Sequence, residues 1–294
     1  MKSGFVAILG RPNVGKSTII NHIVKHRVSI VTDKSQTTRN NIIGIYNDYD
    51  VQIVFLDTPG IHKPTQKLGE EMNNMAYSAA HDVDVSILVV DASKPFGTGD
   101  QFIINHLDIH KSPLIIVFNK IDLARLDQAE KLKAIYLDIF PNAHLIETVA
   151  REGFNIKEII KQVVELLPEG PIYYPEDVIT DKDEIFQIKE IIREKILRQL
   201  REEVPHAIAI YMDNIIWDHN PIQIFASIIV EKDGQKAIVI GKGGRRIKEI
   251  GTSARKDIEH LLGKHVYLEL QVKVDEDWRN EPASLKSYGY KYEK

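Results

Sequence analysis

Gly10-Arg11-Pro12-Asn13-Val14-Gly15-Lys16-Ser17, preceded by the apolar run Phe5-Val6-Ala7-Ile8-Leu9, is the stretch that decides the fold of the amino-terminal part of this 294-residue chain. A G-x-x-x-x-G-K-[ST] segment after a strand and at the mouth of a helix reads as a phosphate-binding loop. The strand carries the glycines to its carboxyl edge and the loop turns its backbone N–H groups inward. The helix opened by Ser17 and Thr18 adds its positive end. In that arrangement Lys16 reaches the β- and γ-phosphates of a nucleotide, and Ser17 offers its hydroxyl to magnesium. The competing reading is a glycine-rich turn.

Two downstream segments select the nucleotide. Val51-Gln52-Ile53-Val54-Phe55-Leu56 predicts a buried strand that ends in Asp57-Thr58-Pro59-Gly60, followed by Ile61. Asp57 then holds magnesium through water, and the Gly60 N–H faces the γ-phosphate. Pro113-Leu114-Ile115-Ile116-Val117-Phe118 ends in Asn119-Lys120-Ile121-Asp122. Asp122 can accept hydrogen bonds from guanine N1–H and its exocyclic amine, which adenine cannot supply, while Asn119 and the Lys120 stem shape the base pocket. A P-loop ATPase, the leading alternative, needs no Asp122. A threonine from Ser35-Gln36-Thr37-Thr38-Arg39-Asn40 completes the magnesium site, with Thr38 favoured and Thr37 the alternative. A short loop at Thr148-Val149-Ala150 meets the base.

The order of elements gives the fold class. Strands at 4–10, 42–49, 51–57, 84–91, 113–118 and 143–148 alternate with helices near 16–26, 66–81, 98–110, 127–138 and 155–167. Such alternation predicts an α/β domain, a mostly parallel sheet with helices on both faces. The runs at 42–49 and 51–57 lie too close for a crossover helix and form an antiparallel hairpin. Residues 1–168 thus read as a nucleotide-binding domain, and the proline-bearing segment 169–182 as a connector.

Residues 183–294 read differently. A helix at 183–202 and strands at 207–216 and 222–231 lead to Gly241-Lys242-Gly243-Gly244, a G-x-x-G, then a helix at 253–262 and a strand at 265–273. This is the helix-strand-strand-helix-helix-strand order of an α+β type II KH domain, whose glycine loop approaches a sugar-phosphate chain while bases lie in an adjacent apolar groove. The whole chain has net charge −4, yet residues 241–256 hold six cations against Glu249, a local +5. Gly241, Lys242, Gly243, Gly244, Arg245, Arg246 and Lys248 are therefore the expected RNA contacts. Tyr288, Tyr290 and Tyr292 either stack on bases or cover the domain core or end as a frayed tail.

The G-x-P-N-x-G-K-S-T loop, Thr37-Thr38-Arg39 and Asp57-Thr58-Pro59-Gly60-Ile61 are shared by a group of translation-related GTPases. With Pro171-Ile172-Tyr173-Tyr174-Pro175-Glu176-Asp177, Arg201-Glu202-Glu203-Val204-Pro205-His206 and Asp277-Trp278-Arg279, the chain resembles the Era family over essentially its whole length. The resemblance implies a GTP-hydrolysing switch, with GTP or GDP and Mg2+. It also implies as partner the 3′ end of small-subunit ribosomal RNA, in assembly and maturation of the small ribosomal subunit. It further implies peripheral membrane association, and a cytoplasmic monomer is expected. Val149-Ala150 departs from the family's serine-alanine, which leaves only the Ala150 backbone N–H for the base. Ile61 stands where other GTPases carry a water-orienting glutamine. Asn13 looks like the residue that ligates K+ in related GTPases, in place of an arginine finger. The catalytic set is then Lys16, Thr38, Gly60 and Asn13. A nucleotide-gated RNA-binding protein or membrane-surface regulator with negligible turnover is the alternative.

Composition adds exclusions. Zero cysteines rule out disulfides and thiolate metal sites, and the eleven histidines show no metal-ligand spacing. No apolar run approaches a membrane span, and Met1-Lys2-Ser3 leads straight into a strand, without a signal peptide pattern.

Overall fold

The computed structural model of the chain describes residues 1–106, 112–200 and 204–291. Contacts group them into two compact units, Met1–Val31, Gln36–Thr65 and Gly69–Asp181 in one, and Thr32–Ser35, Gln66–Leu68 and Lys182–Lys294 in the other. No described helix is long and apolar enough to cross a membrane.

In the first, strands β1 (Lys2–Gly10), β2 (Ile42–Asp48), β3 (Val51–Asp57), β4 (Val85–Asp91), β5 (Leu114–Asn119) and β6 (His144–Thr148) form one sheet in the order β2-β3-β1-β4-β5-β6. All neighbours are parallel except β2 and β3, a hairpin in which Ile42 faces Asp57 and Asp48 faces Val51. β5 is buried along its whole length, as a strand covered on both faces must be. Helices α1 (Lys16–Val24), α2 (Lys67–His81), α3 (Thr98–His106), α4 (Leu126–Ile139) and α5 (Ile156–Leu166) follow β1, β3, β4, β5 and β6 in turn. The carboxyl ends of β1, β3 and β5 consequently bring three loops to one edge. The expected extension of α3 to residue 110 lies outside the described residues.

The connector is an integral part of this unit. Ser3 N donates to Pro168 O (3.2 Å), Gly170 N to Met1 O (3.2 Å) and Ile45 N to Ile179 O (2.9 Å), so the segment runs from β1 to the outer edge of β2. The Asp181 carboxylate accepts from Ile43 N at 3.2 Å. Gln52 is the clamp. Its side chain is fully buried, with Oε1 accepting from Tyr173 N (2.7 Å) and Tyr174 N (3.0 Å) and Nε2 donating to Tyr174 O and Asn47 Oδ1 (2.8 Å each). The Tyr173 ring meets Phe5 edge-on.

The second unit holds α6 (Glu184–Gln199), β7 (Ala209–Ile216), β8 (Ile222–Val230), α7 (Asp233–Ile240), α8 (Arg245–Leu262), β9 (Val266–Val274) and α9 (Pro282–Tyr288). β7 and β8 pair antiparallel and β8 and β9 parallel. Ile188, Ile192 and Ile196 of α6 and Ile250, Ala254 and Ile258 of α8 recur every fourth residue and fill the core beneath this sheet. α8 begins at Arg245, eight residues before the expected 253, because the glycine turn passes straight into helical backbone and Gly251 is carried within the helix. Trp278, fully buried, donates to Ala207 O, and Tyr288 and Tyr290 pack against it. These tyrosines cover the core. Tyr292, the expected end of α6 at 202 and the Arg201-Glu202-Glu203 part of the family motif lie outside the described residues.

Candidate functional site

The phosphate loop is held in shape from below. Lys16, 6% exposed, points its ammonium into the loop and donates to Gly10 O (3.2 Å) and Arg11 O (3.0 Å). Burial lowers its pKa to about 8, against the pull of Asp57, which raises it. Ser17 Oγ donates to Asp57 Oδ2 at 2.7 Å and lies 2.9 Å from Thr38 Oγ1. Burial raises the Asp57 pKa, although Ser17 and Lys16 oppose it, and its Oδ1 is buried with no hydrogen-bond partner. Hydroxyl, hydroxyl and carboxylate oxygens converging beside an orphaned carboxylate oxygen are the hard donor set that Mg2+ prefers. Thr38, not Thr37, is the threonine brought to Ser17.

The base side is braced through Asn119. Its Nδ2 donates to Val14 O (2.7 Å), and its Oδ1 accepts from Ala150 N (2.9 Å), so one buried amide ties the phosphate loop to the loop after β6. The Ala150 N–H, the group expected to face the base, is here engaged by Asn119. Lys120 Nζ donates to Asn13 O (2.7 Å) and pairs with Asp91 Oδ2 (2.6 Å). Burial works against the charge on Asp91, but Lys120 and Ser93 outweigh it and hold the carboxyl below its ordinary range. Asp122 follows on an exposed turn.

Several expected contact residues also serve the scaffold. Ile61 is 1% exposed and packs with Leu9, Ala76 and Leu88, while its N–H donates to Gly10 O (3.1 Å), so its side chain belongs to the core. Thr58 Oγ1 donates to Ile8 O (2.7 Å) and Thr148 Oγ1 to Phe154 O. Val14 and Val149 are buried, whereas Pro12, Thr18 and Ile121 are half-buried around the loops and Pro59 is buried. Arg11 donates to Asp100 Oδ2 at 3.0 Å, and Asp100 Oδ1 accepts from Tyr136 Oη (3.2 Å). Asp91, the last residue of β4, and Asp100, in the first turn of α3, carry no motif.

In the second unit Gly243 (φ 61°) and Gly244 (φ 76°) take the left-handed conformation that turns α7 into α8. Lys242, Arg245 and Lys248 are exposed. Arg246 is half-buried, donates to Ile238 O and closes the end of α7. Beside the loop, α8 and the free edge of β9 enclose a groove of about 380 Å³ lined by Ile247, Lys248, Gly251, Thr252, Arg255 and Tyr267 to Leu270. Two cations rim it, with apolar side chains on its floor. Tyr267 and Glu269 line this groove from β9, a strand whose sequence carries no local signal of ligand contact.

The sequence profile of 50S ribosome-binding GTPases matches residues 5–120, and that of KH domains matches residues 203–279. A crystal structure of Era in complex with MgGDPNP and nucleotides 1506–1542 of 16S ribosomal RNA superposes with a TM-score of 0.94 at 40% identity, covering 99% of this chain and 100% of that one. The chain belongs to the Era family of GTPases. An Era variant from Aquifex aeolicus bound to GDP and AlF4− is likewise similar, with a TM-score of 0.92, 38% identity and coverage of 99% and 100%. As in that family, a P-loop GTPase domain precedes a KH domain.

Proposed function

We propose that this Era-family chain binds GTP in the cleft at the carboxyl edge of the first sheet and hydrolyses it. Its KH groove then holds the 3′ end of small-subunit ribosomal RNA during assembly and maturation of that subunit. The convergence of Ser17, Thr38 and Asp57 beside the buried Lys16 carries the reading. Lys16 binds the phosphates, the Asp122 carboxylate selects guanine, and Thr38 and Gly60 register the γ-phosphate from two sides of the cleft. Ser17 and Thr38, together with Asp57, would hold magnesium, which would supply neutralisation of phosphate charge.

Arg11 is engaged by Asp100, and Ile61 is in the core, so neither supplies a charged finger or orients water. Asn13, exposed in the phosphate loop, is the oxygen donor suited to K+ beside the phosphates. Hydrolysis at matched ionic strength should run faster in K+ than in Na+, with the difference lost in Asn13→Ala; equal rates in the parent protein refute the potassium role. The protein acts as a cytoplasmic monomer, with peripheral membrane contact that flotation on anionic vesicles and release by salt would register. Crosslinking to RNA in cells, followed by sequencing of the fragments, tests the partner. Enrichment of one ribosomal 3′ end supports it and a uniform scatter refutes it.

A further inference from the structure

His62 lies immediately after the buried Ile61, and no nucleotide motif includes it. Its Nδ1 is 2.9 Å from Gly60 O and its Nε2 is 3.0 Å from Gln36 Nε2. The Gly60 carbonyl can only accept, so Nδ1 carries the ring proton. Nε2 is then the acceptor, and the Gln36 amide donates to it. The imidazole thus bridges the loop after β3 to the loop that carries Thr38. The His62 end of the bridge is fixed by other contacts. Asn73 of α2, 4% exposed, donates to His62 O (2.8 Å) and accepts from His62 N (3.4 Å). Gln36 holds φ 57°, a backbone conformation that non-glycine residues seldom adopt and that needs an external hold.

The bridge is closed while Thr38 stands 2.9 Å from Ser17, so both loops are drawn to the phosphate loop together. We infer that His62 and Gln36 form a latch that holds the Gly60 and Thr38 loops together, a positioning device that favours the triphosphate-bound arrangement over the diphosphate-bound one. This rests on the nucleotide reading above. A ligand that touches both loops gains from the latch, whereas GDP, which ends at the β-phosphate, does not.

The test compares affinity for a non-hydrolysable GTP analogue and for GDP in the full-length protein, its Gln36→Ala and His62→Asn variants, and the double variant. Asparagine places an amide nitrogen where Nδ1 stands, so His62→Asn keeps the bond to Gly60 and removes the one to Gln36. Each single variant should weaken the analogue about five- to tenfold, the range of one lost hydrogen bond, and leave GDP within about twofold. The double variant should be no weaker than either single one. Equal loss for both nucleotides, additive losses, or no loss overturns the latch. If His62→Asn fails to fold, Gln36→Ala alone decides through the analogue-to-GDP ratio. Lys16→Ala serves as the control: loss of both nucleotides there with unchanged Gln36→Ala binding removes the latch alone, and unchanged binding in both removes the cleft assignment as well.

Discussion

At Gly60 a methyl group would come 2.6 Å from Pro12 Cα, and at Gly15 it would overlap the Asn119 amide, whereas at Gly243 and Gly244 it would meet nothing within 4 Å. The first pair are glycines because the protein itself fills the space, a constraint that at Gly15 adds to a φ of 107°. The second pair are glycines for their backbone angles, and the space beside them is open to a partner. The nucleotide cleft is thus braced by buried hydrogen bonds before any ligand arrives, while the KH loop presents exposed cations on a turn with little behind it. Preorganisation suits a site that must stabilise developing charge. An open turn suits phosphate contacts that fix position by electrostatics.

Lys16→Ala should break the comparison on the cleft side most severely. Affinity for Mg-GTP should fall by at least about a hundredfold, as expected when a charged partner of the phosphates is lost. The nucleotide-free protein should melt at the same or a higher temperature, since a buried ammonium is removed. A lower melting temperature would make Lys16 a structural residue. Asp122→Asn should lose GTP affinity by roughly a hundredfold and gain affinity for xanthine nucleotides, because only the base-facing group changes; unchanged GTP binding sinks the base assignment.

Asn119→Ala separates bracing from contact. It leaves the Val14 carbonyl and the Ala150 N–H unpaired, so the nucleotide-free protein should lose about 3 kcal/mol, at roughly 1–3 kcal/mol per orphaned group. Asp122→Asn should not. Urea titration of both variants distinguishes them.

The pH dependence of the cleft follows from Lys16. In the unfolded chain this lysine titrates near 10.5 and in the folded one at about 8, so the unfolded state binds more protons between those values. Stability of the nucleotide-free protein therefore rises with pH from about 8 toward 10.5. Phosphates favour the ammonium, so nucleotide binding takes up a proton above pH 8, and affinity should fall by up to about tenfold per pH unit there. Calorimetry in buffers of different ionisation enthalpy measures that uptake; its absence at pH 9 contradicts a depressed Lys16.

The KH side should answer with the smallest single effects. Lys242→Ala and Arg245→Ala should each weaken RNA binding severalfold and reduce the salt slope by about one, with no change in melting temperature. Gly243→Asp should also fold, because a Cβ there meets nothing within 4 Å and aspartate is among the residues that tolerate positive φ, yet it should repel the RNA backbone.

What could be read from the sequence was the chemistry that is local. The phosphate loop, Asp57, Asn119 to Asp122 and the G-x-x-G each announce themselves by spacing, and the alternation of strands and helices puts the first three at one edge. What could not be read depends on distant pairing. Asp91 matters because the β4–β5 register sets it opposite Asn119, within reach of the neighbouring Lys120 ammonium, and Asp100 because α3 brings it to Arg11. Ile61 sits beside a catalytic loop in sequence, yet its side chain turns into the core, and Arg246 belongs to a basic run but closes a helix. The early start of α8 was hidden by Gly251, which reads as a breaker and is tolerated within the helix.

Gln52 holds the connector by its main chain: the three bonds to Tyr173 and Tyr174 all end on backbone N–H or C=O groups. The identity of the strap's residues is therefore loosely specified, and their side chains are free to drift between related proteins without releasing it. The amide at position 52 has no such latitude, since even glutamate would set a buried charge against the Tyr174 carbonyl. In a lineage where the connector had come loose, the cause would be found in β3, some 120 residues upstream of the segment that moved.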